Sequence, residues 1–461
     1  MNAVTEIPSS IFRAYDIRGV VGETLTAEGV RAIGRAIGSA AAARGDARAL
    51  LGRDGRLSGP ELSAALAAGL QAAGMEVVDI GLVPTPVLYF AACEFGTGTG
   101  VMLTGSHNPP GYNGLKIMVA GDTLAEEGIQ DLRRRIETGD LRSGAGSYAE
   151  RDVLPAYIER ITRDVRPARA LRVVVDCGNG AAGVAAPRLL RALGCEVTEL
   201  YCDIDGRFPN HHPDPSVPAN LEALRAAVVE GGADLGFAFD GDGDRLGVLA
   251  HDGRVIWPDR VLMLLAADVL ARNPGARILY DVKCSRHLDA AIRAAGGEPE
   301  MWKTGHSLIK ARMRETGALL AGEMSGHVFF KERWYGFDDA LYTAARLLEV
   351  LAADPRPPGE VLAALPDSVN TPELHVDMRE GEHFRFMERM AREARFEGAR
   401  LYTIDGVRAD FADGWGLVRA SNTTPCLVLR FEAEDEAGLR RIQEAFRRQM
   451  LAVEPGLTLP F

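Results

Sequence analysis

Cysteine is scarce and unpatterned in this chain of 461 residues: Cys93, Cys177, Cys195, Cys202, Cys284 and Cys426 include no C-x-x-C pair. That scatter argues against a zinc ribbon and offers no disulfide framework, so the six read mostly as small buried apolar side chains in a reducing compartment. Long apolar runs are missing too. The most apolar stretch, Val261 to Ala271, is too short to span a bilayer and contains Asp268. Met1 to Ser10 carries Glu6 and no apolar core, so it does not read as a signal peptide, and a cytoplasmic protein without a membrane partner is the expectation. Net positive charge is also absent. The formal balance is −12, which leaves no global field for nucleic acid and requires any anion site to be locally positive. No low-complexity tract or heptad repeat occurs, and with no evident interface helix a monomer is expected.

What is present is an ordinary globular composition, 47% hydrophobic and 25% charged. The length suggests three or four domains of about 100–150 residues each. One pattern recurs three times. A strand near Ala49–Leu51 precedes a helix opened by Ser58 and Glu61 in capping-box spacing, with Pro60 in the first turn and Gly74 at the end. Strand Glu76–Ile80, a helix after Pro84–Pro86 and strand Gly100–Thr104 follow. The second copy runs through strands Arg172–Asp176, Cys195–Leu200 and Asp234–Phe239, the third through Arg277–Val282, Pro299–Lys303 and Ala318–Ala321. Helices alternate with these strands, implying βαβ units and mixed, largely parallel sheets. The end of the chain differs: strands near 373–378, 399–403, 407–411, 417–420 and 426–431, with helices near 382–393 and 435–449, read as an α+β domain. Composition loosens at 139–151, 251–258, 354–359 and 366–372, dividing the chain into 1–152, 153–253, 254–367 and 368–461.

Ligands bind off the carboxyl ends of parallel strands, and each copy offers one polar loop there. Asp240-Gly-Asp-Gly-Asp-Arg245 is the strongest. Three carboxylates at alternate positions repel unless a hard cation neutralises them, and oxygen donors select Mg²⁺, Mn²⁺ or Ca²⁺. An EF-hand would need Gly in place of Arg245 and Glu in place of His251. Arg245 is suited to a phosphate. Thr104-Gly-Ser-His-Asn-Pro109 puts Ser106 at a strand end, as a nucleophile or merely in a turn; the adjacency of His107 does not make a triad, because neighbouring side chains usually diverge. Lys116, just downstream, is a natural charge partner. Arg419-Ala-Ser-Asn-Thr-Thr424 is either an anion cradle or a polar hairpin turn. Glu323, Ser325 and His327 could hydrogen-bond sugar hydroxyls, while Lys303, His306 and Lys310 occupy a strand-to-helix segment. By themselves Tyr15 reads as core, Arg18 as a surface charge and His306 as structural.

Taken together, residues 104–109, 240–245, 322–327 and 419–423 resemble the α-D-phosphohexomutases, in particular the bacterial phosphomannomutase/phosphoglucomutase group, in order and spacing across essentially the whole chain. The resemblance implies four domains around a central cleft: phosphoserine, metal-binding, sugar-binding and C-terminal phosphate-binding, in that order. It implies that Ser106 is carried as phosphoserine and that Asp240, Asp242 and Asp244 hold Mg²⁺ with it. Glu323 and Ser325 would read sugar O3 and O4. Arg419, Ser421, Asn422 and Thr423 would grip the non-reacting phosphate. Tyr15, Arg18, Lys116, Arg245, Lys283, His306 and His327 would line the cleft, with Arg18, Lys116 or His306 managing the hydroxyl proton. The implied substrates are glucose and mannose phosphates, with glucose 1,6-bisphosphate as intermediate or activator. A Mg²⁺-dependent sugar-phosphate phosphatase with an Asp nucleophile, and a non-catalytic sugar-phosphate sensor, are the rival readings.

Overall fold

Residues rich in apolar β-formers, flanked by helices that end in glycine, assemble into three sheets of one topology. The computed structural model describes residues 7–422 and 424–461. In the first sheet, strands Glu76–Leu82, Arg48–Arg53 and Thr99–Leu103 run parallel, and Tyr112–Val119 joins them antiparallel. The second sheet repeats this order with Glu196–Leu200, Arg172–Asp176, Leu235–Phe239 and the antiparallel Leu246–Ala250. The third repeats it with Glu298–Trp302, Arg277–Asp281, Leu320–Gly322 and the antiparallel Val328–Phe330. In each case the polar motif is the loop between the third and fourth strands. The central strands are covered on both faces, which is why Leu235–Phe239 is an unbroken buried apolar run.

The fourth strand of the first sheet is not legible in the linear reading. Tyr112–Val119 mixes Asn113, Gly114 and Lys116 among its apolar residues because its start borders the cleft. A further strand, Ile17–Val20, pairs antiparallel with it, so Arg18 lies on a sheet edge and is only 8% exposed, not a surface charge. The expected capping box at Ser58 does not form: Ser58 makes no side-chain cap and instead accepts a hydrogen bond from Asn113 Nδ2 at 2.9 Å. The loose segment after Gly139 still contributes a strand, Tyr148–Glu150, to the first sheet. The run Val261–Ala271 lies within a buried helix, Pro258–Arg272. Four cysteines are buried, but Cys93 is exposed and Cys202 half-buried.

The last domain is an antiparallel sheet that includes Cys426–Ala433, Gly414–Ala420 and Val407–Phe411. Helices Glu382–Glu393 and Glu436–Val453 cover it through Met390, Ile442 and Phe446. A second apolar cluster runs without a break from Phe90 of the first sheet's unit through Tyr157 to Trp334 and Tyr342 of the third. Close aromatic contacts such as Phe90–Tyr157, with centroids 5.3 Å apart, and Phe90–Trp334, 6.1 Å apart, lock these units together. Among the described residues no helix is long and apolar enough to cross a membrane.

Candidate active site

The acidic loop curls as its glycines permit. Gly243 adopts φ +73°, and the carboxylates of Asp240, Asp242 and Asp244 converge with ligand oxygens within 4.8 Å of one another, all fully buried. Lys116, from the antiparallel strand of the first sheet, reaches into this nest. Its ammonium donates to Asp242 Oδ2 at 2.6 Å and to Asp244 Oδ2. Burial opposes the Lys116 charge, but Asp242, Asp244 and Asp240 outweigh it and hold its pKa well above the usual lysine value. Burial, then the Asp244 and Asp242 charges, pushes Asp240 well above the usual carboxylate range. Asp244 goes the opposite way, because Lys116 and His327 outweigh the effect of its burial. Oδ1 of Asp242 has no hydrogen-bond partner among the described residues. Buried oxygen donors, one of them unsatisfied, fit a hard divalent cation.

Ser106 faces this nest. Its Oγ lies 2.9 Å from Asp240 Oδ2 and 3.3 Å from His107 Nδ1. The neighbouring side chains converge, against expectation, where Ser106 takes a left-handed conformation, φ +47°. The two loops touch through their backbones: a Cβ at Gly241 would fall 2.3 Å from the Ser106 carbonyl oxygen. Behind the serine loop, the fully buried Arg56 donates to the carbonyls of Ser106, Asn108, Pro109 and Tyr112 at 2.6–2.8 Å. Arg18 donates to Asp16 and to Asn108 of the same loop.

The remaining motifs close the same cleft, a cavity of about 350 Å³ bordered by Ser106, Arg245, Glu323 and Arg419, among others. Glu323 accepts from the Gly305 amide at 2.6 Å, and its carboxylate lies 3.2 Å from His327 Nδ1. His327 Nε2 lies 3.3 Å from Asp244. Burial lowers the His327 pKa, but Asp244 and Glu323 outweigh it and raise the value to about 9. Ser325 shares a 2.8 Å hydrogen bond with His327 Nδ1. His306, at the start of helix His306–Thr316, behaves oppositely: burial, then Lys310 and Lys116, hold its pKa well below the ordinary histidine value. Lys283 donates to Glu373 at 2.6 Å, and Arg419 Nε to Asp405 at 3.0 Å. Tyr15 is not core; it lines the cleft, donates to the Thr304 carbonyl at 3.1 Å and accepts from Asn422. Ser421 lines the cleft beside Asn422, and Thr423 lies outside the described residues.

Comparison with known proteins agrees with this geometry. Four consecutive segments match the family descriptions phosphoglucomutase/phosphomannomutase alpha/beta/alpha domain I (residues 9–143), domain II (155–253), domain III (257–369) and the C-terminal domain (373–449). The chain belongs to the α-D-phosphohexomutase family, in its bacterial phosphomannomutase/phosphoglucomutase group. It is 60% identical over 455 residues to a phosphomannomutase/phosphoglucomutase of Pseudomonas aeruginosa, covering 99% of this chain and 98% of the relative. A phosphoglucomutase of Neisseria gonorrhoeae is 55% identical, covering 96% and 97%. The crystal structure of a phosphoglucomutase/phosphomannomutase family protein from Burkholderia thailandensis superposes with a TM-score of 0.94 at 55% identity, covering 99% of this chain and 100% of that one.

For this phosphohexomutase the linear motifs pick out the tips of the loops but miss what holds them. Asp54 and Arg56 follow strand Arg48–Arg53, and the Gly-Arg-Asp-Gly-Arg run at its end is the local signal that marks them. Asp16, Asp214, Glu373 and His375 also border the cleft without any motif to mark them. Lys303 is exposed and does not line the cleft, and Lys310 is tied to Asp338 at 2.9 Å above the Tyr89 ring.

Proposed function

We propose that this chain reversibly moves a phosphoryl group between the 1- and 6-positions of hexose phosphates, mannose and glucose alike, by way of phosphorylated Ser106 and a hexose 1,6-bisphosphate. The observation that carries the reading is the pairing of Ser106 Oγ with Asp240 in the same cleft that the Arg419 loop borders. In the forward step the P–Oγ bond breaks and a P–O bond forms to the free sugar hydroxyl. That hydroxyl loses its proton, and the bisphosphate then returns its other phosphoryl group to Ser106. His306, kept neutral by burial and by Lys310 and Lys116, is the acceptor we favour for the proton. Arg245 and Lys116 supply positive charge where phosphoryl oxygens gather, and phosphoryl transfer depends mainly on such positioning and neutralisation. Arg419, oriented by Asp405, with Ser421, Asn422 and Thr423 would hold the distal phosphate, and Lys283 and Tyr15 would border it. Glu323 and Ser325 would read the equatorial O3 and O4, which survive a flip of the sugar and are common to glucose and mannose. His327 braces Glu323.

Asp240, Asp242 and Asp244, with the Ser106 oxygen, would hold one Mg²⁺ per chain, which when bound supplies charge neutralisation for the transferring phosphoryl group. We further read the chain as a cytoplasmic monomer divided at 152, 253 and 367, with glucose 1,6-bisphosphate as its activator. The phosphatase reading is not favoured, because full-length relatives at high identity are mutases by name. Intact-protein mass spectrometry tests the proposal. After incubation with glucose 1,6-bisphosphate and Mg²⁺ the parent should gain one phosphate that Ser106→Ala cannot carry. A parent that never carries it, or an alanine variant with full mutase activity, would rule the reading out.

A further inference from the structure

Arg56 lies outside every motif that marks the family chemistry, yet its guanidinium donates to four backbone carbonyls. Its Nη2 donates to Ser106 O at 2.8 Å and Asn108 O at 2.6 Å, and its Nη1 to Pro109 O at 2.7 Å and Tyr112 O at 2.8 Å. Nε turns back to Asp54 Oδ2 at 3.2 Å. Asp54 in turn accepts from the Thr104 hydroxyl at 2.7 Å and from the Gly105 amide at 3.2 Å. One ion pair therefore divides the serine loop between its halves. The carboxylate takes the donors on the entering side, and the guanidinium takes the acceptors on the leaving side.

The need for such a clamp follows from the backbone. Ser106 is a non-glycine residue at φ +47°, a strained conformation that persists only when its surroundings over-determine it. Without Arg56 the buried Ser106 carbonyl would be left looking for a partner, whereas Pro109 O also accepts from the Tyr112 amide at 3.0 Å. No smaller donor set reaches all four: the planar fork delivers two parallel pairs, whereas an ammonium offers three tetrahedral donors at one point. The fit is tight, since a Cβ at Gly105 would sit 2.4 Å from the guanidinium. The same segment rests on the second domain. A Cβ on Gly55 would strike Ile204 at 2.3 Å, and the Phe208 ring lies 5.2 Å from the Arg56 guanidinium carbon.

We infer that Arg56 is a positioning residue for the reaction: it fixes the left-handed turn that aims Ser106 Oγ at Asp240 and seats that turn against the second domain. This rests on the proposal that Ser106 carries the phosphoryl group. Arg56 does not line the cleft, so it acts through the loop and not on the sugar.

Three variants test this against the parent, first shown by intact mass to form phospho-Ser106, so that failure of the phosphoserine reading is seen separately. Arg56→Lys keeps the charge but not the fork, and its kcat should fall about 100-fold, as for a displacement near 1 Å, with KM within about threefold. Arg56→Ala should lose at least as much, and added guanidinium at a non-denaturing concentration should restore part of the rate without altering KM. Leu57→Ala, at the adjacent exposed position, should leave kcat unchanged. Arg56→Lys decides the matter if the alanine variant does not fold. A lysine variant with kcat within threefold of the parent, a loss carried by KM alone, or a folded alanine variant that guanidinium does not rescue would overturn the inference.

Discussion

Gly241→Ala is the sharpest test of how the serine and acidic loops work together. The change adds one methyl group in the second domain and removes no side-chain contact. Its Cβ would lie 2.3 Å from the Ser106 carbonyl oxygen and 3.1 Å from the Ser106 carbonyl carbon, both backbone atoms of the first domain. Ordinary contact begins at about 3.4 Å, so the two loops must part by about 1 Å. Neither can yield easily, because Arg56 holds one and the bond from the Ala181 amide to the Gly241 carbonyl, 2.9 Å long, holds the other. A displacement of that size at reacting groups costs about 100-fold in rate, and overpacking costs about 1–3 kcal/mol of stability. The assay is conversion of glucose 1-phosphate to glucose 6-phosphate with glucose 1,6-bisphosphate and Mg²⁺ present, alongside thermal melting. Gly111→Ala is the control, since it lies in the serine loop with nothing within 4 Å of the added methyl. If Gly241→Ala keeps kcat within about tenfold of the parent, or Gly111→Ala falls equally far, the claim that loop separation limits the rate is wrong.

Other expectations follow from the same geometry. Lys116→Met leaves the buried carboxylates without their ammonium, so in EDTA stability should drop by about 3–5 kcal/mol, and excess Mg²⁺ should recover much of it; an equal drop with and without Mg²⁺ in thermal melts would refute this. Arg419→Lys loses the fork that Asp405 orients, and should raise KM for glucose 1-phosphate by about tenfold or more while phospho-Ser106 still forms. Asp339 caps helix Ala340–Ala353 and accepts from the Tyr157 hydroxyl at 2.7 Å, and burial raises its pKa to about 7. A carboxyl raised on folding stabilises below its unfolded value and loses that contribution as pH rises through 7. Asp339→Asn should therefore flatten the fall in urea midpoint between pH 5 and pH 8, and at pH 8 exceed the parent by a few kcal/mol at most. An unchanged pH slope in the variant would assign the fall to other groups.

Particular residues show where linear reading stops. Asp240, Asp242 and Asp244 announce themselves because three carboxylates spaced by glycines at the end of an apolar run admit few purposes. The recurring strand–helix pattern is legible where a central parallel strand such as Leu235–Phe239 is a continuous buried apolar run. The antiparallel fourth strand of the first sheet is not, because Tyr112–Val119 carries Lys116 into the acidic nest and so breaks its own apolar pattern. Ser58 shows a local rule overridden: the capping spacing is present, but Asn113 claims its hydroxyl. Arg18 and Arg56 look like surface charges in a line of text, and only strand pairing and loop packing bury them.

From its sequence alone this chain settles what chemistry it can hold: a hydroxyl, an oxygen-rich cation nest and an anion loop, each on a recognisable strand end. Composition and local pattern suffice for that, because each motif's chemistry is contained within a few consecutive residues. Whether those pieces act on one molecule depends on contacts between residues such as Ser106 and Asp240, or Tyr15 and Asn422, that lie far apart in the chain. The protonation of Lys116, His306 and His327 is likewise decided by burial and by charges from other domains, which exist only once the domains have packed.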